Sequence, residues 1–343
     1  MWTIRHAVLP ALTSRQLSAQ GHHRIHNIAG VRSAAAMVPE GAWDTHIHVF
    51  EPDRFPYAEP RRYTPKAAAL TAYPAAARTG CTNIVVVHAS MQGQTAAPLV
   101  DLLRRQETDP QIRSRFGVLR GLTALDPDAV TDDELDALHK AGVRGCRLHE
   151  NAADASKAGV VAGIAAKIEA LARRTARLGW IVDVFCPLAV WAALADKLRS
   201  SSNNNRIDPR VHLVADHLAS TLPGAETTLA FRELLALVRE RRLFVKLSGF
   251  DRLYHDNDGI DSLAAAIKAL VAAGPDQILF GSDWPHTQLD VNRAGKTAEQ
   301  RLHDVEGFRH VDNAAHIAKL REWIPDDETW HKLWVANPQR LFA

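Results

Sequence analysis

Hydrophobic and polar positions follow two alternating patterns along the chain from residue 41. Short runs rich in Val, Ile, Leu and Phe, which are typical of buried parallel strands, are separated by longer alanine-rich stretches of helical character. Strands are predicted at 43–50, 82–90, 115–123, 143–149, 180–186, 211–219, 243–250 and 277–284. Helices are predicted at 96–108, 132–141, 157–178, 188–200, 225–241 and 260–273, with a closing helix at 328–342.

Eight β-then-α units without a long polar linker predict a single α/β domain over residues 41–343, a closed (β/α)8 TIM barrel. An open doubly wound sheet is the competing architecture. Such sheets usually carry a glycine-rich phosphate loop, and the chain has neither GxGxxG after the first strand nor GxxxxGK[ST] anywhere. The long polar stretch 285–325 after the last strand is expected to form part of the active-site rim.

Residues 1–40 differ in composition from the rest of the chain. The first 39 residues contain four arginines and no acid, so the small excess of basic residues (41 against 39) belongs to this segment. This composition fits a mitochondrial transit peptide better than a secretory signal, because it lacks an apolar core of roughly 7–15 residues. A non-targeting extension is the alternative. The expected location is therefore the mitochondrial matrix or the cytoplasm, and not outside the cell.

Composition and charge exclude several classes of protein. No apolar run approaches the ~20 residues that span a bilayer, so no membrane protein is expected. The body has no basic block suited to the phosphates of a nucleic acid. The three cysteines form no CxxC pair, which argues against a disulfide scaffold and a cysteine zinc site. A small-molecule enzyme is expected, with a homo-oligomeric state left open.

Polar residues concentrate near the ends of the predicted strands, where the active sites of α/β barrels lie. Side chains two apart on a strand share a face, so Asp44, His46 and His48 are expected to face one centre. His217 and Asp283 end the sixth and eighth strands. A single histidine at a strand end is more often structural, but several together indicate a divalent-metal site or a metal-free acid–base cluster.

Other strand ends add weaker candidates. Arg147 and His149 end the fourth strand, Ser90 ends the second, and His286 follows the eighth. Lys246 lies within the seventh strand and is expected to be solvated or ion-paired rather than to lie inside the barrel. No GxSxG, HExxH or Cys–His signature is present, so a hydrolase serine, a zincin site and a cysteine nucleophile have no support.

The order and spacing of these motifs resemble the amidohydrolase superfamily, and specifically its metal-sparing lactonase branch, typified by 2-pyrone-4,6-dicarboxylate lactonase. The similarity covers about residues 41–343. It is carried by DTHIHVF (44–50), FPYAEPRRYTP (55–65), GVRGCRLH (142–149), ADHLA (215–219), KLSGFDRL (246–253), GSDWPH (281–286) and NPQRLF (337–342).

The resemblance implies a hydrolase that opens the ring of a small carboxylated lactone by attack of water. Asp283 would act as the general base, and His46, His48 and His217 would flank the scissile carbonyl and polarise it. Arg147 and Arg252 would hold a substrate carboxylate, for which a planar guanidinium group is suited. Tyr63 and Ser90 match further substrate-contacting positions; His149 and His286 are added from their places at strand ends.

Departures from the family pattern bear on the substrate. Pyrone dicarboxylate enzymes have a second arginine shortly after the position of Arg147, where this chain reads HENAAD (149–154). Their strand-five tyrosine is Phe185 here, and an asparagine after the DWP motif is Gln288. Fewer partners are left for a second carboxylate, so we expect a muconolactone-type or similar lactone rather than a dicarboxylated pyrone.

The metal requirement is a separate question. His46, His48, His217 and Asp283 could together hold zinc or manganese, which related superfamily members use. The fifth strand has no histidine and the fourth no bridging lysine, which disfavours a binuclear site. We therefore expect no obligatory metal.

Three alternative functions stay open at this point. A metal-dependent non-oxidative decarboxylase of an aromatic or muconate-type acid would need a strand-five histidine that this chain lacks. A sugar-lactone hydrolase would keep the chemistry but take a neutral substrate, which the arginines disfavour. A catalytically silent barrel would not need a buried polar cluster.

Overall fold

Eight parallel strands, adjacent in chain order, form the core of a computed structural model that describes residues 37–200, 210–254 and 259–343. The predicted extension 1–40, with its targeting role, lies almost wholly outside these residues. Two two-residue strands, Thr64–Pro65 and Val305–Glu306, pair with each other outside the eight-stranded sheet. The strands are β1 (Trp43–Ile47), β2 (Thr64–Pro65), β3 (Asn83–Val87), β4 (Leu119–Thr123), β5 (Val143–His149), β6 (Ile181–Phe185), β7 (Leu213–Ala215), β8 (Phe244–Ser248), β9 (Ile278–Gly281) and β10 (Val305–Glu306).

The first and last strands of the sheet meet and close it into a barrel. The amide of Asp283 donates to the carbonyl of His46 at 2.9 Å, and the amide of His48 donates to the carbonyl of Trp284 at 2.8 Å. The hydroxyl of Thr45 adds a bond of 2.6 Å to the carbonyl of Phe280. The predicted (β/α)8 TIM barrel is confirmed.

Helices follow the strands and cover the outside of the barrel. The predicted closing helix 328–342 is divided in the structure by a π-helical turn at Lys332–Ala336. No helix among the described residues has the length and apolar character needed to cross a membrane. The helices are α1 (Tyr73–Ala77), α2 (Ala97–Thr108), α3 (Pro110–Arg115), α4 (Asp132–Lys140), α5 (Val160–Thr175), α6 (Leu188–Arg199), α7 (Leu229–Arg239), α8 (Ala264–Ala273), α9 (Ala298–His303), α10 (Asn313–Trp323), α11 (Asp327–His331) and α12 (Asn337–Phe342).

The barrel interior is apolar near the strand beginnings. The ring of the penultimate residue, Phe342, lies 6.1 Å from the ring of Trp43 on β1 and is fully buried. The end of α12 therefore packs against the bottom of the barrel, where the strands begin, and opposite their C-terminal ends. The cluster consists of Trp43, Val85, Val87, Leu122, Ile181, Val214, Phe244, Leu279, Leu341 and Phe342.

The next inward positions along two strands carry charges. Asp183 lies two positions after Ile181 on β6, and Lys246 lies two positions after Phe244 on β8. Both charged side chains are completely buried. Lys246 forms an ion pair with Asp183, with Nζ 2.9 Å from Oδ2. Lys246 is therefore ion-paired, as the sequence analysis expected, but it is not solvated: it lies inside the barrel, because a buried carboxylate on another strand compensates its charge.

The prediction that Asp44 shares a face with His46 and His48 is wrong. The pairing of β1 with β3 shifts register between Asp44 and Ile47, which breaks the alternation of side chains. The carboxylate of Asp44 accepts hydrogen bonds from the hydroxyl of Tyr73 at 2.8 Å and from the amide of Ser282 at 2.9 Å. Asp44 thus anchors the backbone immediately before Asp283 instead of joining the histidines.

Replacing the buried ring that closes the bottom of the barrel should destabilise the fold. We expect Phe342→Ala to lower the free energy of unfolding by about 3 kcal/mol, because the substitution removes apolar contacts and leaves a cavity. The measurement is equilibrium urea unfolding. Leu229→Ala is the matched control, since Leu229 is 76% exposed and should change stability by less than ~0.5 kcal/mol. Equal stability of the two variants would contradict the assignment of Phe342 to the core.

Candidate active site

Three imidazoles converge on one carboxylate oxygen at the C-terminal end of the barrel. The Nε2 atoms of His46, His48 and His217 lie 3.8, 3.7 and 3.9 Å from Oδ1 of Asp283. All four side chains are buried. The structure therefore brings together the four residues that the sequence analysis placed at the ends of the first, sixth and eighth barrel strands.

Backbone conformations that are rare for residues with side chains position two members of this group. Asp283 has φ of 63°, and residues 217–220 all have positive φ, beginning with 51° at His217. Such conformations cost about 1–3 kcal/mol each and concentrate at functional sites. Gly249 is required beside His217, because a Cβ there would lie 2.6 Å from Nδ1 of that ring. The turn after β7 and the start of the turn after β8 are therefore packed to hold one imidazole.

The hydrogen bonds of His48 determine which of its nitrogens carries the proton. Its Nδ1 lies 2.8 Å from the carbonyl of Val87, and a carbonyl can only accept, so Nδ1 is the donor. Burial, with the nearby charge of Arg147, lowers the pKa of His48 to about 3, so the ring is neutral at physiological pH. Its Nε2 therefore presents a lone pair towards Asp283.

Asp283, which faces Nε2 of His48, is an anion. Burial by itself would raise its pKa, but the guanidinium of Arg252 brings the pKa well below its ordinary value. Nε of Arg252 donates to Oδ2 of Asp283, and Nη2 donates to the hydroxyl of Thr287 at 3.0 Å. Arg252 is thus occupied in orienting the base, which leaves little of its guanidinium for the substrate carboxylate that the sequence analysis assigned to it.

Three of the converging atoms fit a divalent cation, because ligand atoms of His46, His48 and Asp283 all lie within 4.8 Å of one another. Nε2 of His46 and Oδ1 of Asp283 are buried and have no hydrogen-bond partner among the described residues. Two lone-pair acceptors facing each other need a donor or a cation between them. Nitrogen and carboxylate ligands suit zinc, whose bonds of ~2.0–2.1 Å place tetrahedral ligand atoms roughly 3.3 Å apart, slightly closer than here. That activity needs no metal stays a prediction.

A cavity of about 380 Å³ opens above this cluster. Residues 287–291 and Arg293 form part of its wall, so the polar stretch after the last strand does contribute to the rim as predicted. Arg147, Tyr63, Ser90 and His149 also line the cavity. The guanidinium of Arg293 lies 3.7 Å from the centre of the Tyr63 ring and covers one of its faces.

His286 is placed differently from the other predicted substrate contacts. The side chain is buried, and Nε2 lies 3.2 Å from the side-chain amide nitrogen, Nδ2, of Asn313 on α10. His286 is not among the described residues that line the cavity. Its position indicates a structural link between the turn after β9 and α10.

The sequence analysis did not single out Asp183 and gave Asp216 and Lys246 no role beside the histidines. Oδ1 of Asp216 lies 3.0 Å from Nδ1 of His46, and the ammonium of Lys246 lies 3.1 Å from the same oxygen. Asp183 completes the group through Lys246. A signal was present, because Asp183 and Lys246 occupy inward positions of a period-two pattern in β6 and β8, but their mutual distance depends on the closed barrel.

Comparison with known proteins gives a consistent result. The family profile described as amidohydrolase matches residues 43–343. The chain is 29% identical over 310 residues to the 4-sulfomuconolactone hydrolase of Rhizobium radiobacter, covering 89% of this chain and 91% of that one. It is 28% identical over 320 residues to the 2-pyrone-4,6-dicarboxylate hydrolase of Comamonas testosteroni, with the same two coverages.

Solved structures share the fold. An apo structure from Agrobacterium tumefaciens superimposes with a TM-score of 0.66 at 19% identity, covering 89% of this chain and 96% of that one. This likeness supports the barrel architecture and nothing finer.

Metal binding at the converging atoms can be tested directly. After dialysis against a chelator, we expect the protein to bind one Zn²⁺ or Mn²⁺ per chain in isothermal titration calorimetry, because ligand atoms of His46, His48 and Asp283 lie within 4.8 Å of one another. His48→Gln should weaken binding at least tenfold by removing one ligand. His331→Gln, at an exposed position on α11, is the matched control and should bind as the wild type does. Equal affinity of all three proteins would place any bound ion elsewhere.

Proposed function

This chain belongs to the amidohydrolase family, and on that premise we propose that it opens the ring of a lactone by adding water. The observation that carries the proposal is the ionised Oδ1 of Asp283, surrounded by three Nε2 atoms at 3.7–3.9 Å beneath the cavity. Two relatives whose names describe hydrolysis of a lactone and of a pyrone support a cyclic ester as the substrate.

Ring opening requires one proton to be taken up and one to be delivered. Asp283 accepts a proton from water as the water oxygen attacks the lactone carbonyl carbon. The ring C–O bond then breaks, and Asp283 returns the proton to the leaving oxygen, which gives a hydroxy acid. Its ionisation releases one proton into neutral solution. Because Arg252 keeps the pKa of Asp283 low, the carboxylate is ionised at physiological pH but is a weak base for unactivated water.

The imidazoles would act on the substrate through a cation or a water that lies between them and the substrate. Neutral His48 presents a lone pair and cannot itself donate a hydrogen bond from Nε2 to a developing oxyanion. A divalent cation held by His46, His48 and Asp283 would lower the pKa of a water and polarise a carbonyl oxygen. The direct polarisation of the carbonyl by imidazole that the family resemblance implies is therefore less suited to this geometry than ligation.

We further propose that the substrate carries one carboxylate and an apolar substituent. Most arginines of the cavity wall are already paired with acids: Arg252 with Asp283, Arg293 with Glu306 at 2.9 Å, and Arg62 with Asp290 at 2.9 Å. Arg147 donates to the carbonyl of His88 at 2.8 Å and is 3.7 Å from Asp216, which leaves it the least committed. One anionic group at Arg147 is therefore what the wall can compensate.

Two large apolar side chains on the rim favour the apolar substituent. Leu222 is 56% exposed and Val291 is 71% exposed, and both line the cavity. Apolar surface exposed at the mouth of a cavity is typical of a surface that a ligand covers. A decarboxylase is not favoured, because residues 180–186, which include β6, carry no histidine and the two relatives named above are hydrolases.

Removal of the proposed base should abolish turnover. We expect Asp283→Asn to lower kcat for a lactone found by a pH-indicator screen at least a thousandfold, because an amide cannot accept the proton of water. Substrate affinity, measured by calorimetry, should stay within about threefold, since asparagine has nearly the size of aspartate and the other lining residues are unchanged. Wild-type turnover by this variant would refute the role of Asp283. No hydrolysis of any lactone by the wild type would refute the proposed function.

The apolar rim should determine a preference between matched lactones. We expect a carboxylated lactone with a butyl substituent to be hydrolysed with higher kcat/KM than its unsubstituted analogue, and Leu222→Asn to reduce that ratio about tenfold. Leu229→Asn is the control, because Leu229 is an equally large exposed side chain outside the described cavity lining. An unchanged ratio in Leu222→Asn would exclude contact between Leu222 and the substituent.

A further inference from the structure

One charged side chain of the barrel interior has no part in the reaction as proposed above. The ammonium nitrogen of Lys246 lies 2.9 Å from Oδ2 of Asp183, 3.1 Å from Oδ1 of Asp216 and 3.2 Å from Nδ1 of His46. Lys246, Asp183 and Asp216 are completely buried. Lys246 is not among the described residues that line the cavity, so it does not touch the substrate.

Such a group is expensive to maintain for stability alone. Moving charges out of water costs several kcal/mol per ion after relaxation, and apolar replacements of buried ion pairs are often neutral or stabilising. The inward positions one layer below are apolar, with Ile181 on β6 and Phe244 on β8, so the barrel accommodates apolar side chains on these strands. The arrangement of the charges therefore points to a use at their upper side, where His46 lies.

Asp216 is subject to two competing attractions. Its Oδ1 contacts both Lys246 and Nδ1 of His46, whereas its Oδ2 has no hydrogen-bond partner among the described residues and lies 3.7 Å from Nη2 of Arg147. Without Lys246, the carboxylate would be repelled by Asp183 and attracted towards Arg147. It would then leave Nδ1 of His46.

We propose that Lys246 is a positioning residue for lactone hydrolysis: supported by Asp183, it holds Asp216 against Nδ1 of His46 and thereby aims Nε2 of His46 at Asp283. This inference rests on the proposed function. The hydrogen bond to Asp216 keeps the proton of His46 on Nδ1 and leaves the lone pair of Nε2 directed at the reaction centre, as second-sphere carboxylates do for histidine ligands. Lys246 acts on the reaction only through Asp216 and His46.

A pair of variants separates positioning from charge compensation. Lys246→Met leaves two buried carboxylates without their cation, so both Tm and kcat should fall. Lys246→Met combined with Asp183→Asn removes one charge of each sign and should recover most of the lost Tm. If Lys246 positions His46, this double variant keeps kcat roughly tenfold to a hundredfold below wild type with KM within about twofold. If Lys246 only neutralises Asp183, the double variant regains wild-type kcat, which would overturn the proposal.

A spectroscopic measurement gives an answer that does not depend on the substrate. Two-bond ¹H–¹⁵N correlation spectra of protein labelled at histidine report which ring nitrogen carries the proton, and His46→Gln identifies the signals of His46. In the wild type we expect the proton on Nδ1, and in the double variant a mixture of tautomers. A proton on Nε2 in the wild type would overturn the proposal even if neither variant folds. Absence of lactone turnover in the wild type, with the expected spectra, would refute the proposed function and leave the positioning of His46 supported.

Discussion

The hydrogen bonds that close the barrel are also the bonds that assemble the site. The amide of Asp283 donates to the carbonyl of His46, and the amide of His48 donates to the carbonyl of Trp284. The base and two of its three imidazoles are therefore held in register by backbone, not by flexible side chains. A site placed on strand ends in this way is as rigid as the barrel itself, and this precision is what a reaction at one carbonyl carbon requires.

Ion pairs inside the barrel limit which ligands the site can bind. Arg252 is bound to Asp283, and Lys246 is shared between Asp183 and Asp216. The positive charges nearest the centre thus stabilise the protein's own anions before any ligand arrives. Within the group of Asp283 and its three imidazoles, Oδ1 of Asp283 and Nε2 of His46 are buried without a hydrogen-bond partner among the described residues, and both are electron-pair donors. The site is accordingly suited to hold a cation or an activated water beneath an ester, whereas Arg147 is the arginine that we propose for an anionic substituent.

The polar centre lowers the stability of the fold, and packing elsewhere in the structure compensates for this loss. The positive φ angles of Asp283 and of residues 217–220 are unfavourable for residues with side chains, and the ion pairs in the interior oppose burial. Apolar packing at the opposite end, where Phe342 meets Trp43, and the hydrophobic layer between strands and helices offset these terms. Stability and chemistry are thus divided between the two ends of one barrel.

The sequence by itself determined the eight-strand pattern, the strand ends that carry Asp283, His46, His48 and His217, and the polar rim, because period and local chemistry are properties of neighbouring residues. It did not reveal that Asp44 leaves the histidine face, since a register shift depends on the partner strand. Nor did it reveal that Arg252 binds the base, that His286 lies behind the cavity, or that Lys246 joins Asp183 and Asp216 inside the barrel. Only the tertiary structure decided these, because each depends on the distance between residues that are far apart in the chain and meet when the barrel closes.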